Sequence, residues 1–332
     1  MRSNLKVLLV GDIVENKNIN IERYIFDEDN PTKSEVENLR DWIIEAGYKV
    51  DIFDKVNNFI ESGISNEDVL VFPLWRGGAS RNRTAILPAY CESRNIPFVG
   101  GDAYVQAICQ DKSFSKILAT AVGMKVPGEL VIQSLDDLIS LSPSSCLRPP
   151  FVVKPLYSAC SIGIDDSSLC YNDEFVRIRT KQLFDAKLGP VVCEEFIEGE
   201  DISLCLIEER GSIAKKCVGA YQGIDGISPF YNRLFTFNDK INLDPPWFIS
   251  VLPDNTVSSV WKSAESLIRK LGKVDIIRID GRLNKDGFVL IELTPDIHLS
   301  LKSVFMGSFN IIGATPSVLI DYIIQSAIKN YK

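Results

Sequence analysis

Histidine is almost absent from this chain: His298 is the only one in 332 residues. A His-based metal site and a Ser-His-Asp triad both lack their central part. The eight cysteines include no CxxC pair. Several lie in apolar, strand-like runs (Val192-Cys193, Leu204-Cys205-Leu206) and read as buried free thiols of a reducing, cytoplasmic setting. No apolar run nears the ~18 residues of a membrane span. The apolar core of the opening stretch MRSNLKVLLVGDIVE is too short for a signal peptide. Basic charge is in deficit, with 36 Lys+Arg against 44 Asp+Glu and a net charge of −8. A nucleic-acid partner, which calls for a basic stripe, is therefore not expected. Binding of a mononucleotide stays open, since it needs only a few local cations. Internal repeats and low-complexity tracts are missing too.

What is present reads as a globular chain of two or three domains, at the usual ~100–200 residues each. Residues 5–10 (LKVLLV) predict a buried strand ending at Gly11-Asp12, followed by a polar loop over 16–33. Ser34–Ala46 is an amphipathic helix, with Ser34 as N-cap, Glu37 three residues on and Gly47 as its stop. Strands at 48–53, 68–72 and 97–99 alternate with helices at 56–62 and 85–95, which predicts a parallel α/β sheet. Ligands of such sheets lie beyond the strand carboxyl ends. There the chain reads Leu74-Trp75-Arg76-Gly77-Gly78, then Arg81 and Arg83. This is either an anion site or a solvated basic loop.

Further on, 110–122 is helical and contains Asp111-Lys112. The run PPFVVKPLYSACSIGIDD (149–166) reads as a strand ending at Lys154, a loop of small residues (Ser158, Ala159, Cys160, Ser161) and a resumed strand at 162–164. Such a loop lets backbone N–H groups approach phosphate oxygens, with the lysine as counter-charge; an ordinary hairpin with a surface lysine has the same pattern. Helix 174–188 precedes PVVCEEFIEGEDI (190–202), where Glu194, Glu195, Glu200 and Asp201 gather at a strand end. Residues 223–238 form a loop with Phe230, Tyr231, Arg233 and Phe235, of a length and composition that suit an active-site cover.

The organising stretch is Asp275–Asp296, two apolar-alternating runs about Asp286-Gly287, which predicts a hairpin. With a three-residue loop, Lys285 to Gly287, Asp280 faces Glu292, Arg278 faces Thr294 and Ile279 faces Leu293. Ile279, Leu283, Val289, Ile291 and Leu293 then share the apolar face. Facing carboxylates repel unless a hard cation lies between them. A two-residue loop flips the parity and separates the two carboxylates.

These motifs, in this order, resemble the ATP-grasp superfamily and within it the D-alanine–D-alanine ligases, over residues 65–325. The resemblance implies an ATP-grasp fold: an N-terminal parallel α/β domain (1–105) and two α+β subdomains (106–189 and 190–332) clasping ATP. It implies that Lys112 and Lys154 hold phosphates and that the loop with Cys160 and Ser161 covers them. Glu194, Phe196 and Ile197 would take the adenine, Asp201 the ribose, and Asp280, Glu292 and Thr294 the Mg²⁺, as two ions that Mn²⁺ can replace. Arg278 would stabilise an acyl phosphate and the tetrahedral intermediate. Arg76, Arg81, Arg233 and Ser300 are the substrate candidates. The implied activity joins an acid and an amine, both small molecules, at the expense of ATP, with a homodimer as the family's common state. Intramolecular cyclisation, phosphorylation of the acid, and nucleotide binding without catalysis are the alternatives.

Departures from the family pattern fall on its amino-acid site. The G-G-x-S-x-E loop is replaced by Val10-Gly11-Asp12-Ile13-Val14-Glu15. Cys160 replaces a serine. H-G-x-x-G-E-D-G has become Leu74-Trp75-Arg76-Gly77-Gly78-Ala79-Ser80-Arg81. E-x-N is Glu292-Leu293-Thr294, and Pro295-Asp296 replaces P-G. The expectation is a ligase acting on something other than two D-alanines, and the arginines suggest an extra carboxylate or phosphate on a substrate.

Overall fold

The computed structural model describes residues 5–15, 30–65, 68–76, 78, 80–140, 142–242 and 244–331. Gly77 and Ala79 of the arginine loop, and 16–29 of the polar loop, lie outside the described residues. The chain opens with β1 (Lys6–Val10), α1 (Lys33–Glu45), β2 (Lys49–Phe53), α2 (Val56–Glu61), β3 (Val69–Pro73) and α3 (Arg83–Ser93). The strands form a parallel sheet ordered β2-β1-β3. The strand expected at 97–99 is reduced to a single bridge from Phe98 to Val71. Thr32, not Ser34, caps α1, because a reciprocal capping box with Glu35 satisfies two orphan N–H groups at once.

Two helices stand where one was expected: α4 (Ala103–Gln110) and α5 (Lys112–Ala121). Asp111 separates them, its carboxylate accepting from the N–H groups of Ser113 and Phe114 at 3.0 Å each. Next come β4 (Glu129–Ile132), α6 (Asp137–Ser140), β5 (Phe151–Pro155), β6 (Leu169–Cys170), α7 (Asp173–Asp185) and β7 (Val191–Glu195). They build an antiparallel sheet ordered β4-β7-β5-β6. The strand expected at 162–164 is absent; those residues turn back, with Ile162 N–H donating to Ala159 O. β7, expected to open the third part of the chain, pairs inside this central sheet.

The remainder is β8 (Glu200–Glu209), β9 (Ser212–Gly223), α8 (Phe237–Ile241), β10 (Trp247–Leu252), α9 (Trp261–Leu271), β11 (Ile276–Asn284), β12 (Gly287–Thr294), α10 (Val304–Ile311) and α11 (Pro316–Tyr331). The five strands form an antiparallel sheet ordered β10-β9-β8-β11-β12, whose central strand β8 is buried on both faces. Leu204 and Leu206 face α9, through Leu267 and Ile268, while Cys205 and Ile207 face α11, through Leu319 and Ile323. The α11 side of that core also takes in Val7 and Leu9 of β1, which fastens the N-terminal sheet to the C-terminal one. No single described helix is long and apolar enough to cross a membrane.

The hairpin of β11 and β12 keeps the expected partners for a different reason. Its loop has two residues, Lys285 and Asp286, since Asn284 pairs with Gly287. Gly281 accordingly pairs with Leu290, which is the flipped parity. A bulge then adds Ile291 to β12, and beyond it Asp280 faces Glu292 and Arg278 faces Thr294. The bulge also corrects the apolar face. Phe288, Leu290 and Leu293 join Ile279 in the core, whereas Ile291 lines the cleft described next and Val289 packs outside that cluster.

Candidate functional site

A cleft of about 170 Å³ lies between the four- and five-stranded sheets. Lys112, Lys154, Ser161, Glu194, Phe196, Ile197, Asp201, Arg278, Asp280 and Glu292 all line it, so most of the residues singled out from sequence meet there. Each arrives at the end or the edge of a rigid element. Lys112 opens α5, Lys154 and Glu194 stand next to last in β5 and β7, and the last three stand on the bulged hairpin.

Buried ion pairs hold the inner wall together. The Glu194 carboxylate takes Lys154 on one oxygen and Lys116 on the other, the latter at 2.5 Å, and Lys116 also reaches Glu129 at 2.7 Å. Burial pushes the Glu194 carboxyl up, but Lys116 and then Lys154 outweigh it and bring its pKa to about 2. Burial likewise pulls the Lys116 ammonium down, and Glu194 and Glu129 more than compensate. Lys112 lies 3.4 Å from Glu292 and donates to Ser158 O. Its burial dominates and lowers its pKa. Glu292, pushed up by burial, is held below the ordinary carboxylate range by Lys112 first and Lys154 next.

Sequence reasoning missed Lys116. A signal for it existed: it stands four residues after Lys112, hence on the same helical face. That face is inverted. Lys112, Ser115, Lys116 and Ala119 point inward, while Phe114 and Ile117 are 62% and 60% exposed.

On the hairpin, Arg278 Nε donates to both Asp280 oxygens at 2.6 and 2.9 Å. Ser203 Oγ donates to one of those oxygens at 2.6 Å and Thr294 Oγ1 to the other at 3.1 Å. Burial works against the Arg278 charge, and the Asp280 carboxylate beside it more than restores it, so the guanidinium is locked on. Ser203 was missed because its partner lies across a different ladder, β8 against β11. Arg282 was missed as well, although R-x-D-x-R alternation puts it on the Arg278 face. It lies 3.6 Å from Asp201 and its guanidinium carbon stands 5.5 Å from the Phe196 ring centre. Burial raises the Asp201 pKa, and Arg282 offsets only part of that.

Asp280 and Glu292 are hard oxygen donors on one face of one ladder. Mg²⁺ usually takes one or two protein carboxylates and fills its octahedron with phosphate oxygens and waters. Among the described residues no group of three or more His, Cys, Asp or Glu is assembled. The donor set therefore fits a Mg²⁺ completed by a substrate, and not an all-protein metal cage.

The small-residue loop after β5 carries two successive non-glycine residues in the left-handed region, Cys160 (φ 53°) and Ser161 (φ 59°). Such conformations are uncommon outside glycine and collect at ligand clamps. Ser161 Oγ donates to Phe235 O at 3.1 Å, and Phe237 N–H donates to Ile164 O at 3.1 Å. The 223–238 segment is thereby tied to this loop, and Leu234 and Phe235 roof the cleft.

A second cavity, of about 640 Å³, adjoins the first and shares Tyr221, Phe235, Lys240, Arg278 and Glu292 with it. Cys160, Thr294, Arg76 and Ser300 line it. Arg76 is paired with Asp296 and donates to Ile297 O at 3.2 Å. Arg81 and Arg233 line neither cavity. Arg81 reaches the Tyr157 hydroxyl at 3.3 Å, and Arg233 is paired with Asp239 at 2.8 Å. Arg83 is 1% exposed and struts the arginine loop, donating to Arg76 O at 3.1 Å and Tyr157 O at 3.0 Å. The three arginines thus do not converge on one anion site.

No family model matches the chain. Its fold does match solved structures. A D-alanine–D-alanine ligase from Bacillus anthracis complexed with ATP aligns at TM-score 0.69 and 17% identity, covering 98% of both chains. A VanG D-Ala:D-Ser ligase from Enterococcus faecalis aligns at TM-score 0.68 and 17% identity, covering 99% of this chain and 100% of the other. The fold is therefore that of an ATP-grasp protein.

Within that class the chain is similar to the D-alanine–D-alanine ligases. It is 26% identical over 298 residues to the D-alanine–D-alanine ligase of Lactobacillus acidophilus, covering 86% of this chain and 80% of the relative. It is 23% identical over 239 residues to D-alanine–D-alanine ligase A of Bacillus cereus, covering 72% and 74% respectively.

Proposed function

We propose that this chain is an ATP- and Mg²⁺-dependent carboxylate–amine ligase that joins amino acids, or an amino acid and a small peptide, other than two D-alanines. The observation that carries the reading is the position of Arg278, held on Asp280 where the two cavities meet. In the smaller cleft, ATP would take its phosphates from Lys112 and Lys154 and its adenine from Glu194 and the Phe196–Ile197 backbone. Phe196 N–H already donates to Pro150 O, which leaves Ile197 N–H for a ring nitrogen. Asp201 and Arg282 stand on the ribose side. A substrate carboxylate in the larger cavity attacks the γ-phosphorus, ADP leaves, and an acyl phosphate forms. An amine then adds to the carbonyl, the tetrahedral oxyanion rests on Arg278, and phosphate departs with formation of the amide. Mg²⁺ between Asp280 and Glu292 would neutralise phosphate charge when bound. The protein's own part is positioning and charge complementarity.

The departures on the amino-acid side support a substrate other than D-alanine. Asp12 is used on Val56 N–H at 3.1 Å and Trp75 Nε1 at 3.0 Å, Glu15 lies 3.5 Å from Lys33, and neither lines the cavity. An ADP- and phosphate-release assay over a panel of acids and amines tests the reading. Phosphate, and ADP beyond a single turnover, should appear only when ATP, an acid and an amine are all present. Asp280→Asn should lower kcat by roughly 10²–10³-fold in a chain whose circular dichroism is unchanged. Undiminished turnover by Asp280→Asn would remove that residue from the reaction.

A further inference from the structure

The larger cavity has two chemically distinct ends. Toward β10 its wall is apolar: Trp247, Phe248 and Ile249 of that edge strand, with Phe235 and Phe237 from the roof. Trp247 and Ile249 share one face of β10, the face of Tyr221, which also lines the cavity. Trp247 is braced from behind by Phe230, ring centres 5.1 Å apart, and Ile249 packs onto Gly307 of α10. This wall is rigid and already built. Toward β12 the cavity is polar and carries both signs: Arg76 against Asp296, and His298 Nε2 at 3.1 Å from Glu35. Lys302 lines the same cavity.

A ligand complementary to such a cavity is a zwitterion at one end and bulky and apolar at the other. A carboxylate lies against the cations, an ammonium against Asp296 or Glu35, and a side chain of several carbons against β10. Alanine supplies the zwitterion and leaves the apolar wall uncovered. About 640 Å³ also exceeds what two alanines fill.

Resting on the ligase reading above, we infer that one of the two substrates is an α-amino acid with a large apolar side chain, of the leucine, methionine or phenylalanine type, free or at the end of a short peptide. That side chain seats on Trp247 and Ile249, which share one face of β10. Burying several methylenes in such a pocket is worth tenfold to some hundredfold in kcat/KM, at roughly 10–200-fold per discriminating methylene at best.

The test uses the full chain with ATP and Mg²⁺, and measures ADP release over pairs drawn from alanine, serine, leucine, methionine and phenylalanine. The expected result is a kcat/KM for a bulky apolar amino acid about tenfold to hundredfold above that for alanine in the same slot. Ile249→Ala, a change at a partly buried position on an edge strand, should shrink that ratio several-fold, with kcat/KM for alanine and for the bulky amino acid both measured on the variant. ADP release that proceeds equally with alanine, or a ratio unmoved by Ile249→Ala, overturns the inference while the ligase reading stands. Absence of ADP release with every pair overturns both, and is told apart by the missing turnover.

Discussion

Asp280 faces Glu292 across the hairpin only because Ile291 is one residue too many on β12. Two-residue turns set the parity at the distal end, and the bulge reverses it at the site. Gly281 is the residue that permits the reversal. A Cβ there would run into the Val289 carbonyl oxygen and the Phe288 ring. Gly281→Ala should therefore cost about 1–3 kcal/mol through forced backbone shifts. It should also cut turnover, because Asp280 and Glu292 move with the strand. Chemical denaturation and steady-state kinetics on the same sample would check this. A variant as stable and active as the parent would mean that the bulge is dispensable.

Glu194 is the common partner of two buried ammonium groups. Glu194→Gln leaves Lys154 with no carboxylate and Lys116 with Glu129 alone, and should destabilise the chain by about 3–5 kcal/mol. Urea midpoints measure it, and the KM for ATP should rise in the same variant.

The pH profile of stability follows from the same carboxylate. Its folded pKa is about 2, against an ordinary 4.5. A depressed carboxylate stabilises the fold fully above its unfolded pKa and loses that contribution as pH falls through the folded one. Stability should thus drop between about pH 4.5 and pH 2. Glu194→Gln should flatten that part of the acid limb in thermal melts.

Thr294 donates to Asp280 where the family pattern has an amide. Thr294→Val removes the hydroxyl and leaves Asp280 one donor short, for a loss on the order of tenfold in kcat. Thr294→Asn restores a polar group and should keep turnover within a few-fold of the parent, with a changed Mg²⁺ concentration for half-maximal rate. Equal Mg²⁺ titrations for all three chains would dissociate Thr294 from the metal.

The α/β class and the hairpin were legible as local patterns of alternation and turn residues, and the ten cleft residues as the positions that match the motifs of the family the chain resembles. Lys116 was not, since helical periodicity reads Phe114 and Ile117 as the inner face and the structure turns them out. Ser203 depends on a pairing between β8 and β11 that no local pattern encodes. The loop length was misjudged by one residue and the bulge cancelled the error, so the facing carboxylates were reached by way of a wrong apolar face. The arginines of the 74–83 loop looked like one cluster in sequence. In space Arg76, Arg81 and Arg83 go to Asp296, to Tyr157 and to backbone carbonyls.

The inverted face of α5 has a consequence for how a polyphosphate would be received. Lys112 and Lys154, which both line the cleft, are already paired with Glu292 and Glu194. Incoming phosphate oxygens would displace carboxylates that are in place, and the released Glu292 would become available to a divalent cation arriving with them. Under the proposed function, uptake of a nucleotide would be an ion exchange within a charge-balanced lattice, in which the anion and its counter-cation are each other's condition for entry.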